Sequence, residues 1–152
     1  MLKLKNKYSI GVLVMFYEID MFEEYIDGCI QACQEVSNKE NLYFDFCFNV
    51  SQYFETIDTD KITKKQLIDK FNHQMERLRE NKIHNINIDI KDDSHSVYNI
   101  ASYRRDLNYN YCDKVDFVLW GETDSLWPKE TFHSIESVDT YARQQNINRY
   151  IL

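Results

Sequence analysis

Hydrophobic positions along the chain change their period several times, and each change marks an element. Tyr8 to Tyr17 is a nearly unbroken apolar run, the pattern of a parallel strand covered on both faces. Phe22, Tyr25, Ile26, Cys29, Ile30, Cys33 and Val36 then recur at helical spacing, behind Asp20 and Glu23 three apart as in a capping box. Leu42 to Val50 alternates, with Leu42, Phe44, Phe46 and Phe48 on one face, and predicts a second strand. Thr63 and Gln66 form another capping box, ahead of a helical stripe of Leu67, Ile68, Phe71, Met75 and Leu78. Ile86, Ile88 and Ile90 alternate with Asn87 and Asp89, which predicts a short strand near a sheet edge. Ser94 or Ser96 can cap a third helix carrying Val97, Ile100, Ala101 and Leu107. Val115 to Trp120 reads as a fourth, largely buried strand ended by Gly121-Glu122-Thr123-Asp124-Ser125. Pro128 suits the first turn of a last helix through Phe132, Ile135 and Val138.

The resulting order, βαβαβαβα, predicts an α/β fold of three layers, α/β/α, around a mostly parallel sheet with right-handed crossovers. Placing the most apolar strands centrally makes the first and fourth neighbours and gives a Rossmann-like strand order 3-2-1-4. The chain then diverges to either side of the first strand, and open α/β sheets bind ligands at the carboxyl ends beside such a switch point. The tips there are Phe16-Tyr17-Glu18 and Glu122-Thr123-Asp124. The chain shows no repeat, linker or low-complexity tract, and its 152 residues fit one domain spanning 1–152.

Composition narrows the function classes. A net charge of −7 opposes a phosphate backbone, so nucleic acid is not an expected partner. Three glycines and one proline cannot supply the turns of a β-sandwich or a Gly-rich phosphate loop, so any phosphate is held another way. Cys29, Cys33, Cys47 and Cys112 lack CxxC spacing, stand mainly in apolar runs, and read as buried, reduced thiols. Cys29 and Cys33 also share a helix face, as half of a metal site would, but no histidine motif completes it. The basic start, Met1 to Lys7, leads into no cleavable signal, and no run approaches the length of a membrane span, which makes the cytoplasm the expected compartment.

Candidate chemistry gathers at the switch point. Glu122 and Asp124, one residue apart at a strand end, can converge on a hard divalent cation, Mn²⁺ or Mg²⁺, that prefers oxygen ligands. Such a cation bridges carboxylate and diphosphate and neutralises a leaving group; the other reading is a solvated acidic turn. Tyr17 can stack on a nucleobase or simply pack, and Glu18 can accept from ribose or base. Asn49 offers a donor and an acceptor to a base edge, while Ser51 also suits a strand-to-loop cap. Arg104, favoured over Arg105 by helix phase, can fork onto a diphosphate or pair with a neighbouring acid.

In their order and spacing these parts resemble glycosyltransferases of the GT-A fold, in the large family 2-like group. Ile10 to Glu18 is similar to the opening nucleotide-binding strand, and Asn49-Val50-Ser51 to the D-x-S element after the second. Tyr98 to Asp106 resembles the small-residue and Arg-Asn helix motif, and Glu122-Thr123-Asp124 stands where the DxD belongs. Asn49 replaces the Asp that contacts the base, Arg105 or Asp106 the Asn after Arg104, and Glu122 the first Asp of DxD. The resemblance implies a nucleotide-diphosphate sugar donor contacted by Phe16, Tyr17, Glu18, Asn49, Ser51, Arg104 and Thr123, with Glu122 and Asp124 on the cation. It implies transfer, with inversion, to an acceptor hydroxyl on a glycan, lipid or protein. Only Ser125 to Leu152 follows the DxD-like turn, so the acceptor half is expected to be short or missing and the catalytic base is not identified. Should the chain transfer sugar by itself, the base is expected among Asp92, Asp93, Glu130 and Glu136. Two rival classes are a non-catalytic nucleotide-binding or assembly module and a related nucleotidyltransferase. The latter needs a Gly-rich loop with a basic residue after the first strand, where Gly11 stands alone.

Overall fold

A computed structural model describes residues 1–51, 62–92 and 98–148. Its four strands, β1 (Tyr8–Met15), β2 (Leu42–Asn49), β3 (Ile86–Lys91) and β4 (Phe117–Trp120), form one all-parallel sheet in the order β3-β2-β1-β4. Helices α1 (Ile19–Gln34), α2 (Lys64–Glu80), α3 (Ile100–Tyr111) and α4 (Thr131–Gln144) connect or follow them. The expected α/β class, parallel sheet and strand order are those observed.

Alternation along the strands sorts the side chains into two cores. Tyr8, Ile10, Val12 and Val14 of β1 and Phe44, Phe46 and Phe48 of β2 face α1, α2 and α4, where Phe22, Phe71 and Phe132 complete an aromatic-rich layer. Leu13 and Cys47 face the other way, against Tyr103, Leu107 and Tyr111 of α3. A right-handed crossover explains the division, because the chain reverses direction across the sheet between β3 and β4 and so places α3 on the opposite face. Helix α3 lies so close to the sheet that a Cβ on Gly11 would stand 2.4 Å from Leu107 Cδ2 and 2.7 Å from the Tyr103 hydroxyl. That hydroxyl donates to the Asp45 carboxylate at 2.9 Å, joined by Tyr111 at 3.1 Å and Asn87 at 2.9 Å. Burial, with the Asp45 charge beside them, pushes the Tyr103 and Tyr111 hydroxyls well above the usual tyrosine range, so they stay protonated donors.

Several boundaries differ from the sequence reading. Strand β1 stops at Met15, and Phe16–Glu18 wind into a 3₁₀ turn leading into α1. Glu18, not Asp20, holds the N-cap position; its Oε2 accepts from the Met15 amide at 2.9 Å, while Asp20 sits in the first turn and pairs with Lys70. Val36 is buried but lies past α1, in a short parallel bridge with Leu2. The Thr63–Gln66 capping box forms as expected. Helix α3 begins at an Asn99 cap, whose side chain accepts from the Ser102 amide; Ser94, Ser96 and Val97 lie outside the described residues. Its buried stripe is Tyr103, Leu107 and Tyr111, and Ile100 and Ala101 are exposed.

Strand β4 is a sheet edge, two residues shorter at its start than expected and only half-buried, with Trp120 exposed. Pro128 precedes α4 rather than starting it, and Val138 faces solvent while Glu136 and Asp139 are buried. All four cysteines are free thiols; Cys112 is exposed, unlike the other three. No described helix is long and apolar enough to cross a membrane.

Candidate site in the notch beside β1

Strand lengths create the site. The register pairs Gly11 with Trp120, the last residue of β4, and the Gly121 amide donates to the Gly11 carbonyl at 2.8 Å. Strand β1 continues to Met15 alongside β2, so its last four residues have no partner on the β4 side. At about 3.3 Å per residue the step is roughly 13 Å deep. A cavity of about 450 Å³ fills it, lined by Leu13 and Met15, by Tyr17, Glu18 and Met21 around the 3₁₀ turn, by 98–100 at the start of α3, and by 121–124. This is the switch point where ligands of open parallel sheets bind, and the volume falls within the range of small-molecule sites.

The acidic turn is held by small contacts. A Cβ on Gly121 would stand 2.3 Å from the Tyr25 hydroxyl and 2.6 Å from Val12 Cγ2, so only glycine lets the chain leave β4 against α1. Trp127 then anchors the loop, edge-on to Tyr25 at 5.9 Å and tilted against Phe132 at 5.8 Å, with its Cβ where a side chain on Gly28 would go. The opposite wall is fixed by Tyr98. Its hydroxyl donates to Asp106 at 2.8 Å, its ring carries the Lys91 ammonium at 4.8 Å, and its carbonyl accepts from Asn49 Nδ2 at 3.1 Å. The Tyr98 and Arg105 hydrogen bonds lower the Asp106 pKa, and burial with the Asp106 bond raises that of Tyr98.

The predicted site residues separate into four groups. Tyr17, Glu18, Glu122, Thr123 and Asp124 line the cavity together. Tyr17 is 66% exposed, with its ring edge-on to Phe16, which packs on the core instead of lining the cavity. Arg104 stands behind the lining, with Nη2 2.5 Å from Glu122 Oε1, while Arg105 pairs with Asp106 at 3.0 Å. Asn49 and Ser51 are buried away from the cavity. Asn49 Oδ1 accepts from the Ser51 amide and hydroxyl and its Nδ2 is engaged by Tyr98, so these two terminate β2 and neither carries a free edge for a base.

Three of the four carboxylates expected as a base, Asp92, Glu130 and Glu136, are not in the cavity lining. Glu136 is buried at the amino end of the sheet, where it accepts from the Lys5 and Asn6 amides and from the Tyr8 hydroxyl at 2.7 Å. Asp92 pairs with Lys64, Glu130 faces Lys129 at 3.6 Å, and Asp93 lies outside the described residues. The sequence pattern does not single out Trp120 or Asn99: Trp120 ends an apolar run that reads as a buried strand, and Asn99 stands near two serines of equal capping propensity.

Among the described residues the charged side chains lining the cavity are Glu18, Glu122 and Asp124, a set that repels a bare diphosphate. Asp124 makes no side-chain hydrogen bond or ion pair among the described residues, and with the Thr123 hydroxyl the donor set is entirely hard oxygen. The described residues contain no group of three or more ligating side chains close enough to cage an ion. Such a set fits a Mg²⁺-like cation that takes one or two carboxylates and completes its shell with phosphate and water. Compared with family models, curated proteins and solved structures, the chain matches none.

Proposed function

We propose that the chain binds a nucleotide-diphosphate sugar in this notch together with Mn²⁺ or Mg²⁺, as the donor-binding part of a glycosyltransferase of GT-A type. The observation that carries the reading is the cavity's place and chemistry: a switch-point notch whose wall combines an exposed aromatic ring with hard oxygen donors and, among the described residues, no cationic lining. Glu122 and Asp124 would hold the cation, which when bound offsets the charge growing on a departing diphosphate. Tyr17 offers its ring to the base, and Glu18, with Oε2 fixed by the Met15 amide, keeps Oε1 for a ribose hydroxyl. The first turn of α3 supplies amides that favour phosphate oxygens. The acceptor in this reading is a hydroxyl compound, and the compartment is the cytoplasm, where buried thiols stay reduced.

A second reading, a non-catalytic nucleotide-binding module, draws on the inward Asn49 and Ser51 and on the distance of Glu136 from the notch. One experiment addresses both. Uridine and other nucleoside diphosphates and their sugars are screened by thermal shift in Mn²⁺ and in EDTA, and products are weighed by mass spectrometry. A ligand at 100 times its Kd stabilises the native state by about 2.7 kcal/mol. Stabilisation by nucleotide-sugars in Mn²⁺ alone, with slow sugar release or little transfer, is the expected result; stabilisation by nucleoside diphosphates but by no nucleotide-sugar selects the second reading. Equal stabilisation in EDTA removes the cation, and no stabilisation by any nucleotide sinks both.

A further inference from the structure

Glu122, which the proposed function puts on the cation, and Arg104, which the sequence pattern offers to a diphosphate, are paired with each other in the structure. Glu122 lines the notch, and Arg104 grips it from behind through Nη2 at 2.5 Å. The guanidinium carbon lies 5.3 Å from the centre of the Trp120 ring, and Trp120 Nε1 donates to Asn108 Oδ1 at 3.0 Å, one turn beyond Arg104 on α3. Trp120 is 53% exposed, so burial does not hold it there; its face is occupied by Arg104 and its edge by Asn108. Arg104 Nε is buried with no hydrogen-bond partner among the described residues, so the fork is only partly used.

Resting on the donor-binding reading, we propose that Trp120 is a positioning residue that seats Arg104 on Glu122, and that this ion pair couples cation binding to diphosphate binding. A cation claims Glu122 and a diphosphate claims Arg104. Whichever arrives first must break the pair, and the second then binds without that penalty. The coupling is reciprocal, as linkage requires. An ion pair of this exposure makes the effect about two- to fivefold in affinity.

The test titrates the whole chain by calorimetry with Mn²⁺ alone, with UDP alone, and with UDP in Mn²⁺, using the parent, Arg104→Gln, Arg104→Lys, Trp120→Ala and Glu122→Gln. Arg104→Gln is expected to bind Mn²⁺ alone about two- to fivefold tighter than the parent, because Glu122 is released. Trp120→Ala shifts the same way by less, Arg104→Lys returns toward the parent, and Glu122→Gln weakens Mn²⁺. The factor by which Mn²⁺ tightens UDP shrinks in Arg104→Gln. A gain in Mn²⁺ affinity is a signature that a merely misfolded variant does not produce, and unfolding midpoints in EDTA confirm the fold. If the parent binds both ligands while Arg104→Gln holds Mn²⁺ no tighter than the parent, the coupling is overturned and the donor-binding reading stands. If the parent binds neither, both fall.

Discussion

Gly121→Ala probes how tightly the acidic turn is built. The added methyl meets the Tyr25 hydroxyl at 2.3 Å, Val12 Cγ2 at 2.6 Å and Tyr25 Cζ at 3.1 Å. Tyr25 is 1% exposed and Val12 fully buried, so neither can swing aside. No glycine in the described residues takes a positive φ, so the penalty is steric rather than conformational. Overpacking of this kind costs about 1–3 kcal/mol, against which alanine's smaller unfolded-state entropy returns about 0.4–1 kcal/mol. At about 2–4 °C per kcal/mol for a domain of this length, the midpoint should fall by several degrees. Among the described residues the hydroxyl that makes the worst contact has no partner in hydrogen-bond geometry, although Trp127 and Cys29 lie beside it. Tyr25→Phe alone should therefore leave stability unchanged or slightly raised. In the double variant it removes the 2.3 Å contact and restores part of the loss, a coupling of at least about 0.5 kcal/mol. Urea and thermal unfolding of the four proteins reads this cycle. Losses that simply add, or a Gly121→Ala variant as stable as the parent, would refute the packing argument.

Three further outcomes follow from the same structure. Asp124→Asn should abolish the Mn²⁺-dependent part of nucleotide binding while the unfolding midpoint stays put, because the side chain is exposed and unpaired among the described residues; undiminished Mn²⁺ affinity in calorimetry contradicts the assignment. Asp45→Ala leaves the Tyr111 hydroxyl without its partner and Tyr103 with only the Asp45 carbonyl, so urea unfolding should show a loss of about 1–3 kcal/mol, and an unchanged midpoint removes the clamp on α3. Burial raises the Cys33 and Cys47 thiols from 9.0 to about 12, so between those values the unfolded chain ionises while the native chain does not. The stability they contribute is complete below pH 9 and is lost toward pH 12. The slope is up to about 1.4 kcal/mol per pH unit per thiol; urea titrations at pH 8 and 10.5 should show that fall, and a rise would reverse the sign of the argument.

Local pattern carried much of the architecture. The apolar run of β1, the alternating phenylalanines of β2 and the Thr63–Gln66 box each report the environment of a few consecutive residues, and that environment is what periodicity encodes. The strand order followed as well, since the most apolar segments must sit where both faces are covered, and that placed 16–18 and 122–124 at one switch point. Tertiary structure alone decided what those residues meet. Whether Asn49 shows its amide to a ligand or spends it on Ser51 and Tyr98 depends on a segment 49 residues away. Whether Glu136 is a base or a cap for the Lys5 and Asn6 amides depends on where α4 docks, and the depth of the notch depends on β4 ending level with Gly11. These pairings join residues whose own neighbours in sequence carry no trace of one another, so they exist only once register and crossover have brought the elements together.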